Sequence, residues 1–352
     1  MNARNALNGE GVPTNLGEED LARIARILEE AYAPATRSTY GTGLLIFHIF
    51  CDSKGISEEH RAPVNPVVLS GFISALAGVY GGGTMRNYVY GIKAWHTIHG
   101  ARWEVNDGEV EALLTAGRKL APSGSRRKEK APWTVAYLGS ICSDLDRDDP
   151  RDAAVIACLT TAFWGGARLG EVTVPRLNAF DPLRHIKASD VAQGVTDRNG
   201  LEETVFHLPW TKAAKERGEK IFWSRQEGAT DPQAALANHL RVNNPPGEGH
   251  LFGFLQEGAW RPMTRSILLT RVNQVVKERG LAKLPGHGLR IGSTLEYLLR
   301  GVPFDVVKAK GRWQSDAFRG YLREHAQVMA PYMQAEPRAF ESFVRYTMPP
   351  VR

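Results

Sequence analysis

Residues 287–290 of this chain read His-Gly-Leu-Arg, and residues 311–313 read Gly-Arg-Trp. Tyr321 follows, and Gly-Ala-Arg-Leu-Gly-Glu occupies residues 166–171 far upstream. In chain order these segments supply an arginine, a histidine, a second arginine, a tryptophan and a tyrosine. Each fragment is common when taken alone, so the ordered set carries the information about fold and chemistry.

Arg168 and Arg290 are the candidate anion-binding side chains. A planar guanidinium group donates two parallel N–H groups to two oxygens of one phosphate. Fixed guanidinium groups therefore stabilise the charge that develops on the non-bridging oxygens when a nucleophile attacks a phosphodiester. Glu171 follows Arg168 by three residues, and we predict that it holds Arg168 in place. The alternative for this fragment is an ordinary surface Arg–Glu pair.

His287 and Arg290 are three residues apart, so a helix that begins near His287 places both side chains on one face. The free amides at such a helix start favour a phosphate. We predict that His287 donates to a phosphate oxygen or handles the proton of the nucleophile. Trp313 would donate its indole N–H to a phosphate oxygen. A phenol has a pKa of about 10, so Tyr321 needs nearby cations and a base to attack, and the alternative for both aromatic residues is a place in the core.

A predicted hairpin carries the candidate lysines. Residues 204–208 and 220–223 read as short strands, and the polar run between them predicts a hairpin with a long tip. Lys212, at the start of the tip, is the candidate for protonating a leaving 5′ oxygen. Lys215 and Lys220 remain alternatives, and a solvated surface lysine is the other interpretation for each of them.

Length and composition restrict the class of protein. The 352 residues predict about two domains, and no run of about 18 apolar residues suggests a membrane-spanning helix. Three scattered cysteines, without the spacing of metal ligands, favour a reduced, intracellular protein. We expect Cys51 and Cys158 to be small core residues.

Positive charge is concentrated in two places. The net charge is only +6, but residues 258–323 contain 13 Lys and Arg against 4 Asp and Glu. Arg126, Arg127, Lys128 and Lys130 form a second basic cluster. Such local excess is typical of proteins that contact a phosphate backbone, and the alternative is a solvated surface.

Apolar residues at helical spacing predict five helices within the first 120 residues, which would form a small bundle. Thr36 or Ser38 would cap the second helix, Pro66 would begin the third, and three glycines at 81–83 would break the chain before the fourth, which ends at Gly100. The five apolar stripes are Leu21/Ile24/Ile27/Leu28, Tyr40/Leu44/Phe47/Cys51, Val68/Phe72/Leu76/Val79, Met85/Tyr88/Ile92/Trp95/Ile98 and Val110/Leu113/Leu114.

Residues 121–132 have the composition of a basic linker, either a strap around a DNA duplex or a plain connector. Beyond it, Thr134 is a candidate cap for a helix that runs to Leu145, and residues 152–163 are apolar enough for a buried helix. After the predicted hairpin, the pattern from 231 to 343 is helical. The fold class predicted from these patterns is mainly α with a small β-sheet or hairpin in the second domain.

The ordered residues resemble the signature of the tyrosine recombinase, or integrase, family. Residues 311–318, which precede the tyrosine, are most similar to the recombinases of eukaryotic mobile elements of the Crypton and DIRS types. Residues 36–40, Thr-Arg-Ser-Thr-Tyr, resemble the opening of the core-binding domain of this family, so the resemblance covers residues 20–330. The positions that match the catalytic signature are Arg168, Lys212, His287, Arg290, Trp313 and Tyr321, with Glu171 in support.

The resemblance implies a domain plan. A flexible N-terminus (1–19) would precede a helical, SAM-like core-binding domain (20–120) that binds DNA. The basic linker (121–132) would lead to the tyrosine-recombinase catalytic domain (133–352), with a C-terminal docking segment at 339–346. The two domains would close around duplex DNA as a clamp.

The resemblance also implies a reaction and partners. Tyr321 would attack a DNA phosphate and form a 3′-phosphotyrosine, and a 5′ hydroxyl of a partner strand would reverse that step. The implied partner is double-stranded DNA, bound by a homo-tetramer on two synapsed sites that is a monomer or dimer off DNA, with no metal, no nucleotide cofactor and no membrane. A nuclear location is also implied. The residues expected to contact DNA are Arg86, Lys93, Arg126, Arg127, Lys128, Lys130, Lys215 and Arg312.

We therefore expect a site-specific DNA recombinase that excises or integrates a mobile element. One alternative is a DNA-relaxing enzyme of the type IB topoisomerase class, which shares the phosphotyrosine chemistry but needs no synapsis. Another is a catalytically silent, domesticated DNA-binding protein. Such a protein is expected to lose some of the six signature residues, and all six are present here.

Overall fold

The computed structural model describes residues 14–125, 129–314 and 325–333. The chain divides into two units, Met1–Lys128 and Glu129–Arg352, and this boundary lies within the stretch whose composition predicts a linker. Some predicted features lie outside the described residues: Arg126, Arg127, Lys128, Tyr321 and the docking segment 339–346.

The described residues of the first unit form a bundle of five α-helices, as the apolar stripes predict. Its core contains Phe47, Phe72, Ile73, Met85 and Ile92, each at most 2% exposed. The helices are α1 (Glu18–Glu29), α2 (Pro34–Ser53), α3 (Pro66–Leu76), α4 (Gly82–His99) and α5 (Asp107–Leu120).

Helix caps explain several of these bounds. The side-chain oxygens of Asn65 and Asn106 accept hydrogen bonds from the first backbone N–H groups of α3 and α5. Pro66 occupies the first turn of α3, where its missing N–H costs nothing. Gly100 ends α4 in the left-handed conformation, with φ of +70°, as predicted.

Three boundary predictions in this unit are wrong. Helix α2 begins at Pro34 rather than behind a Thr36 or Ser38 cap, because the fixed φ of proline suits a first helical position. Val79 lies beyond the end of α3 and is 63% exposed. Two of the three glycines at 81–83 belong to the first turn of α4, so the chain break comes earlier than predicted.

The described residues of the second unit form further helices and two small sheets. Helix α7 lies in the hydrophobic core, since every residue from Asp152 to Trp164 is buried, as the sequence predicts. Thr134 caps α6 through its side chain, also as predicted. The helices are α6 (Val135–Asp144), α7 (Pro150–Trp164), α8 (Leu169–Val172), α9 (Pro232–Asn243), α10 (Arg265–Glu278), α11 (Gly288–Leu299), α12 (Phe304–Lys310) and α13 (His325–Met329).

The larger sheet contains the predicted hairpin. Strands β1 (Val191–Thr196), β2 (Glu202–Leu208) and β3 (Glu219–Trp223) are antiparallel in the order β1-β2-β3. Phe206 pairs with Ile221, and both side chains face the core. We call the connection between β2 and β3, residues 209–218, the hairpin tip.

A second hairpin contradicts the prediction that the chain is helical throughout after residue 231. Strands β4 (Phe254–Gln256) and β5 (Ala259–Arg261) form an antiparallel pair. Glu257 and Gly258 join them, with φ of +51° and +75°. Two consecutive positive φ angles are the signature of a type I′ turn, whose twist matches that of the paired strands.

All three cysteines are buried at 0% exposure, as expected for Cys51 and Cys158. Within the described ranges, no helix combines the length and the apolar character that crossing a membrane requires.

Candidate active site

A glycine turn at the end of α7 presents Arg168. Gly166 has a φ of +60°, a left-handed conformation that glycine adopts without steric cost. The turn is closed by bonds from the N–H groups of Gly166 and Ala167 to Phe163 and Ala162. Because of this turn, the buried end of α7 leads directly to Arg168, which precedes the short helix α8.

Glu171 contacts Arg168 as their spacing predicts. Its Oε1 accepts from Arg168 Nη1 at 2.8 Å, and its Oε2 accepts from the backbone N–H of Arg168 at 2.8 Å. Burial raises the pKa of the Glu171 carboxyl, but the charge and hydrogen bond of Arg312, together with Arg168, outweigh it and lower that pKa below its ordinary value. Glu171 is therefore an ionised buried carboxylate that fixes the Arg168 side chain, which is 36% exposed.

His287 lies at the N-terminus of α11, where the sequence predicts a helix start. Trp133 secures this start: its backbone N–H donates to the carbonyl of Gly288 at 3.0 Å, and its indole N–H donates to Pro285 at 3.2 Å. A side chain at Gly292 would overlap the backbone of Trp133, so this glycine permits the close approach. Arg290 follows one turn after His287 on the buried side of the helix.

Arg290 joins three segments that are remote in sequence. Its Nη1 donates to the carbonyl of Gly166 at 2.9 Å, and its Nη2 donates to the carbonyl of Gly311. The Trp313 ring covers its guanidinium group, with the centroid 4.4 Å from Cζ. Arg290 is 1% exposed.

The Arg168 turn and the start of α11 also pack directly on each other. A Cβ on Gly286 would come within 2.5 Å of Leu169 Cδ1, so only glycine fits without displacing that side chain. We call the group Arg168, His287, Arg290 and Trp313 the arginine pocket.

Positive charges surround His287. Burial lowers its pKa from the ordinary value, and the charges of Lys130, Arg290, Arg168 and Arg265 lower it further, Lys130 most among the four. The imidazole is therefore neutral at neutral pH and has one ring nitrogen able to accept a proton.

The hairpin tip carries the candidate lysines, and both Lys212 and Lys215 are exposed. Thr211, at 0% exposure, anchors the tip through a turn in which its Oγ1 accepts from the N–H of Ala214 at 3.0 Å. Lys212 lies inside this anchored turn and Lys215 follows it. The choice between the two lysines remains a prediction.

The residues predicted to contact DNA differ in their surroundings. Lys130 is exposed and lies near enough to His287 to affect its pKa. In the first unit, Arg86 pairs with Glu111 and Lys93 with Asp107, each at 2.8 Å and each at least 40% exposed. Exposed pairs of this kind contribute little to stability, and the DNA contacts of these two residues stay predictions.

Arg312 is placed differently from the other basic residues. Its side chain is 8% exposed and is paired with the carboxylates of Glu171 and Glu219. This burial leaves little of the guanidinium group for a DNA phosphate.

Sequence reasoning missed two residues that organise the site. Trp133 anchors the start of α11, and the only local signal was a tryptophan directly after the linker. Glu219 begins β3 and binds Arg312 Nη1 at 3.0 Å across 93 residues, a pairing that no local pattern indicates.

The chain is mainly helical with a small antiparallel sheet and has the tyrosine recombinase fold, so the fold class predicted from the sequence is confirmed. The solved structure of the XerH site-specific recombinase bound to palindromic difH substrate, a post-cleavage complex, is similar, with a TM-score of 0.55 and 17% identity over 90% of this chain and 85% of that chain. The pre-cleavage complex of XerH with difH gives a TM-score of 0.50 and 16% identity over 89% of this chain and 85% of that chain. No protein-family model and no curated protein match the sequence.

Proposed function

We propose that this protein is a site-specific DNA recombinase that cleaves and rejoins DNA through a covalent tyrosine intermediate. The observation that carries the proposal is the convergence of Arg168, His287, Arg290 and Trp313 from remote segments into one pocket. Fixed guanidinium groups beside a neutral imidazole suit an anion that gains charge as a nucleophile adds to it. The fold shared with XerH supports the same class.

In this proposal the arginine pocket receives the scissile phosphate. Arg168 and Arg290 stabilise its non-bridging oxygens, and Glu171 keeps Arg168 oriented. Neutral His287 accepts the phenol proton of Tyr321 as the tyrosine oxygen bonds to phosphorus. Because the exposed fraction of Arg290 is only 1%, the proposal requires that a phosphate oxygen replace one of its carbonyl partners when DNA binds.

The departing 5′ oxygen leaves as its bond to phosphorus breaks and takes a proton from Lys212, with Lys215 as the alternative donor. The result is a phosphotyrosine and a 5′ hydroxyl group. A 5′ hydroxyl of a partner strand then attacks the phosphotyrosine, and the phenol is regenerated. One phosphoester bond forms for each that breaks, so the exchange needs no external source of energy.

The biological setting is the finer part of the proposal. The likeness of residues 311–318 to Crypton- and DIRS-type recombinases supports a role in moving a mobile element. Strand exchange between two duplexes would then require synapsis, which we propose a homo-tetramer provides. DNA contacts by Lys130, Arg86 and Lys93 belong to the same proposal.

A covalent-trapping assay tests the reaction. Wild-type protein and Tyr321→Phe are incubated in EDTA with nicked duplexes taken from the DNA that flanks the gene, and the products are separated on denaturing gels. We expect a protein–DNA adduct with the wild type and none with Tyr321→Phe, which should still bind the same DNA because only one hydroxyl is removed.

Other outcomes would change the assignment. An adduct that persists in Tyr321→Phe would move the nucleophile to another residue. Salt-sensitive binding by the wild type without any adduct would favour the silent DNA-binding protein. Relaxation of supercoiled plasmids without preference for a sequence would favour the topoisomerase alternative.

A further inference from the structure

Arg312 adopts a backbone conformation that its residue type does not favour. It follows Gly311, the residue that caps the C-terminus of α12, and has a φ of +56°. Glycine is the usual residue at such a left-handed position, because a Cβ is unfavourable there. An arginine at this position, in spite of that strain, suggests that its side chain has a specific role.

The guanidinium group of Arg312 bridges two carboxylates from different segments. Its Nη2 donates to Glu171 Oε2 at 2.6 Å, and its Nη1 donates to Glu219 Oε2 at 3.0 Å. Glu171 is the carboxylate that holds Arg168, and Glu219 is the first residue of β3, directly after the hairpin tip. One side chain therefore connects the Arg168 turn to the strand that follows the hairpin tip.

Neighbouring residues reinforce the connection. Lys310 Nζ donates to the carbonyl of Phe222 at 2.8 Å, and its ammonium group lies over the rings of Phe222 and Tyr297. The end of α12 thus contacts β3 at two points. The two residues that flank Arg312 in the sequence, Gly311 and Trp313, both contact Arg290.

We infer that Arg312 is a positioning residue that fixes the place of the hairpin tip relative to the arginine pocket. The inference rests on the proposed function, because in that proposal a lysine of the tip protonates the oxygen that leaves the phosphate bound in the pocket. A planar fork with several fixed N–H groups can satisfy two carboxylates at once, whereas the ammonium group of a lysine lacks this geometry. The role is distinct from a DNA contact, since both arms of the fork are directed at protein carboxylates.

The Glu219 arm gives the sharpest test. Glu219→Gln weakens the connection to the hairpin and leaves the Arg312–Glu171–Arg168 contacts in place. We expect it to slow single-turnover cleavage of a nicked duplex by about tenfold or more, the scale of coupling within one salt-bridge network, without weakening DNA binding. We also expect slow cleavage when Arg312 is replaced, by Arg312→Gln, Arg312→Lys or Arg312→Gly, although glycine relieves the backbone strain. When Arg312→Gln is already present, adding Glu219→Gln should slow cleavage little further.

A second substrate separates positioning from simple loss of structure. In a duplex with sulfur in place of the leaving 5′ oxygen, the leaving group departs as a thiolate. A thiolate needs no proton donor, because a thiol has a pKa of about 8.5. Cleavage of this substrate by Glu219→Gln should return to the wild-type rate. Equal slowing on both substrates, or no slowing on either, would overturn the inference.

Arg271→Gln is the matched control. Arg271 forms a similar two-point salt bridge with buried Asp152, at 2.7 and 2.8 Å, near the opposite end of α7 from Arg168. We expect this variant to unfold more easily while the folded protein keeps the wild-type rate on both substrates. A matching rate loss in Arg271→Gln would mean that any broken buried salt bridge slows cleavage, and would also overturn the inference.

Backbone hydrogen-exchange rates, measured in the absence of DNA, test the role of Arg312 without relying on cleavage activity. Arg312→Gln should speed exchange both in residues 209–223 and in residues 165–172, whereas Glu219→Gln should speed it only in 209–223. If wild-type protein forms no adduct, the proposed function fails, and these exchange rates still decide whether Arg312 couples the two segments. Unchanged exchange in both variants would show that it does not.

Discussion

Arg290 is 1% exposed and fixed by two backbone carbonyls and an indole ring, whereas Lys212 and Lys215 stand exposed on the hairpin tip. Arg290 is thus part of the buried interior of the second unit, whereas the hairpin tip contains the buried Thr211 together with the two exposed lysines. Groups that must stabilise developing charge are most effective when their orientation is set before the substrate arrives. A proton donor is needed only once a bond begins to break, so an exposed lysine that is not held in place beforehand can fill this role.

The two regions also differ in what their residues contribute to folding. A buried guanidinium group is costly to desolvate, and it is tolerated only because its N–H groups find acceptors. Removing Arg290 therefore disturbs folding and chemistry together. Removing an exposed lysine disturbs chemistry alone.

The largest expected effects are those of replacing the two arginines of the pocket, which should differ in their cost to stability. Arg290→Ala and Arg168→Ala should each slow cleavage about 100- to 1,000-fold, as when one preorganised donor is removed. Arg290→Ala should also lower the free energy of unfolding by about 2–4 kcal/mol, because it leaves two buried carbonyls without donors and a cavity under Trp313. Arg168→Ala should cost about 1 kcal/mol, since its side chain is partly exposed and Glu171 keeps Arg312.

Urea unfolding and single-turnover cleavage measure the two quantities on the same preparations. Equal losses of stability in the two variants would break the contrast between a buried and a partly exposed arginine. Full cleavage activity in either variant would remove that arginine from the site.

An intermediate effect concerns the hairpin tip. Lys212→Ala should slow cleavage of the oxygen substrate about 100-fold or more, as expected for loss of a general acid, while the free energy of unfolding stays within about 0.5 kcal/mol of wild type. Lys215→Ala is the matched control, because it removes the same charge from the same exposed tip. If Lys212→Ala cleaves at the wild-type rate and Lys215→Ala is slow, Lys215 is the proton donor. If both variants cleave at the wild-type rate, neither lysine of the hairpin tip takes part in the reaction.

The smallest expected effect is a shift along the pH axis. His287 has a lowered pKa, so it stays neutral to a lower pH than an ordinary histidine, and cleavage should fall only as the pH drops through that lowered pKa. Lys130→Gln removes the largest of the four charge effects that lower it, so the pKa rises and the acidic limb of the rate profile moves to higher pH.

Cleavage rates at saturating DNA, measured across the acidic range, give this limb directly. Arg265→Gln should shift it in the same direction but less, because Arg265 has the smallest effect of the four. A limb that stays in place, or moves to lower pH in Lys130→Gln, would show that His287 is not the group whose protonation limits cleavage.

Local pattern was enough for the elements that frame the site. The apolar run of α7, the helix start at His287 and the hairpin with its polar tip could all be predicted, because periodicity, caps and turn residues act over a few positions. The same reasoning missed the β4–β5 hairpin. Its strands have only three residues each, too short for an alternating pattern, and its turn signal was the dipeptide Glu257-Gly258.

The sequence by itself determined the fold class and which residue types were available for chemistry, because their order and spacing are properties of the chain. Only the tertiary structure decided that Arg290 reaches the carbonyl of Gly166 across 124 residues, that Trp133 fixes the start of α11, and that Arg312 faces two carboxylates rather than solvent. These contacts depend on how α7, α11 and the sheet pack together. Such packing is set by the summed burial of many side chains, which no single motif encodes.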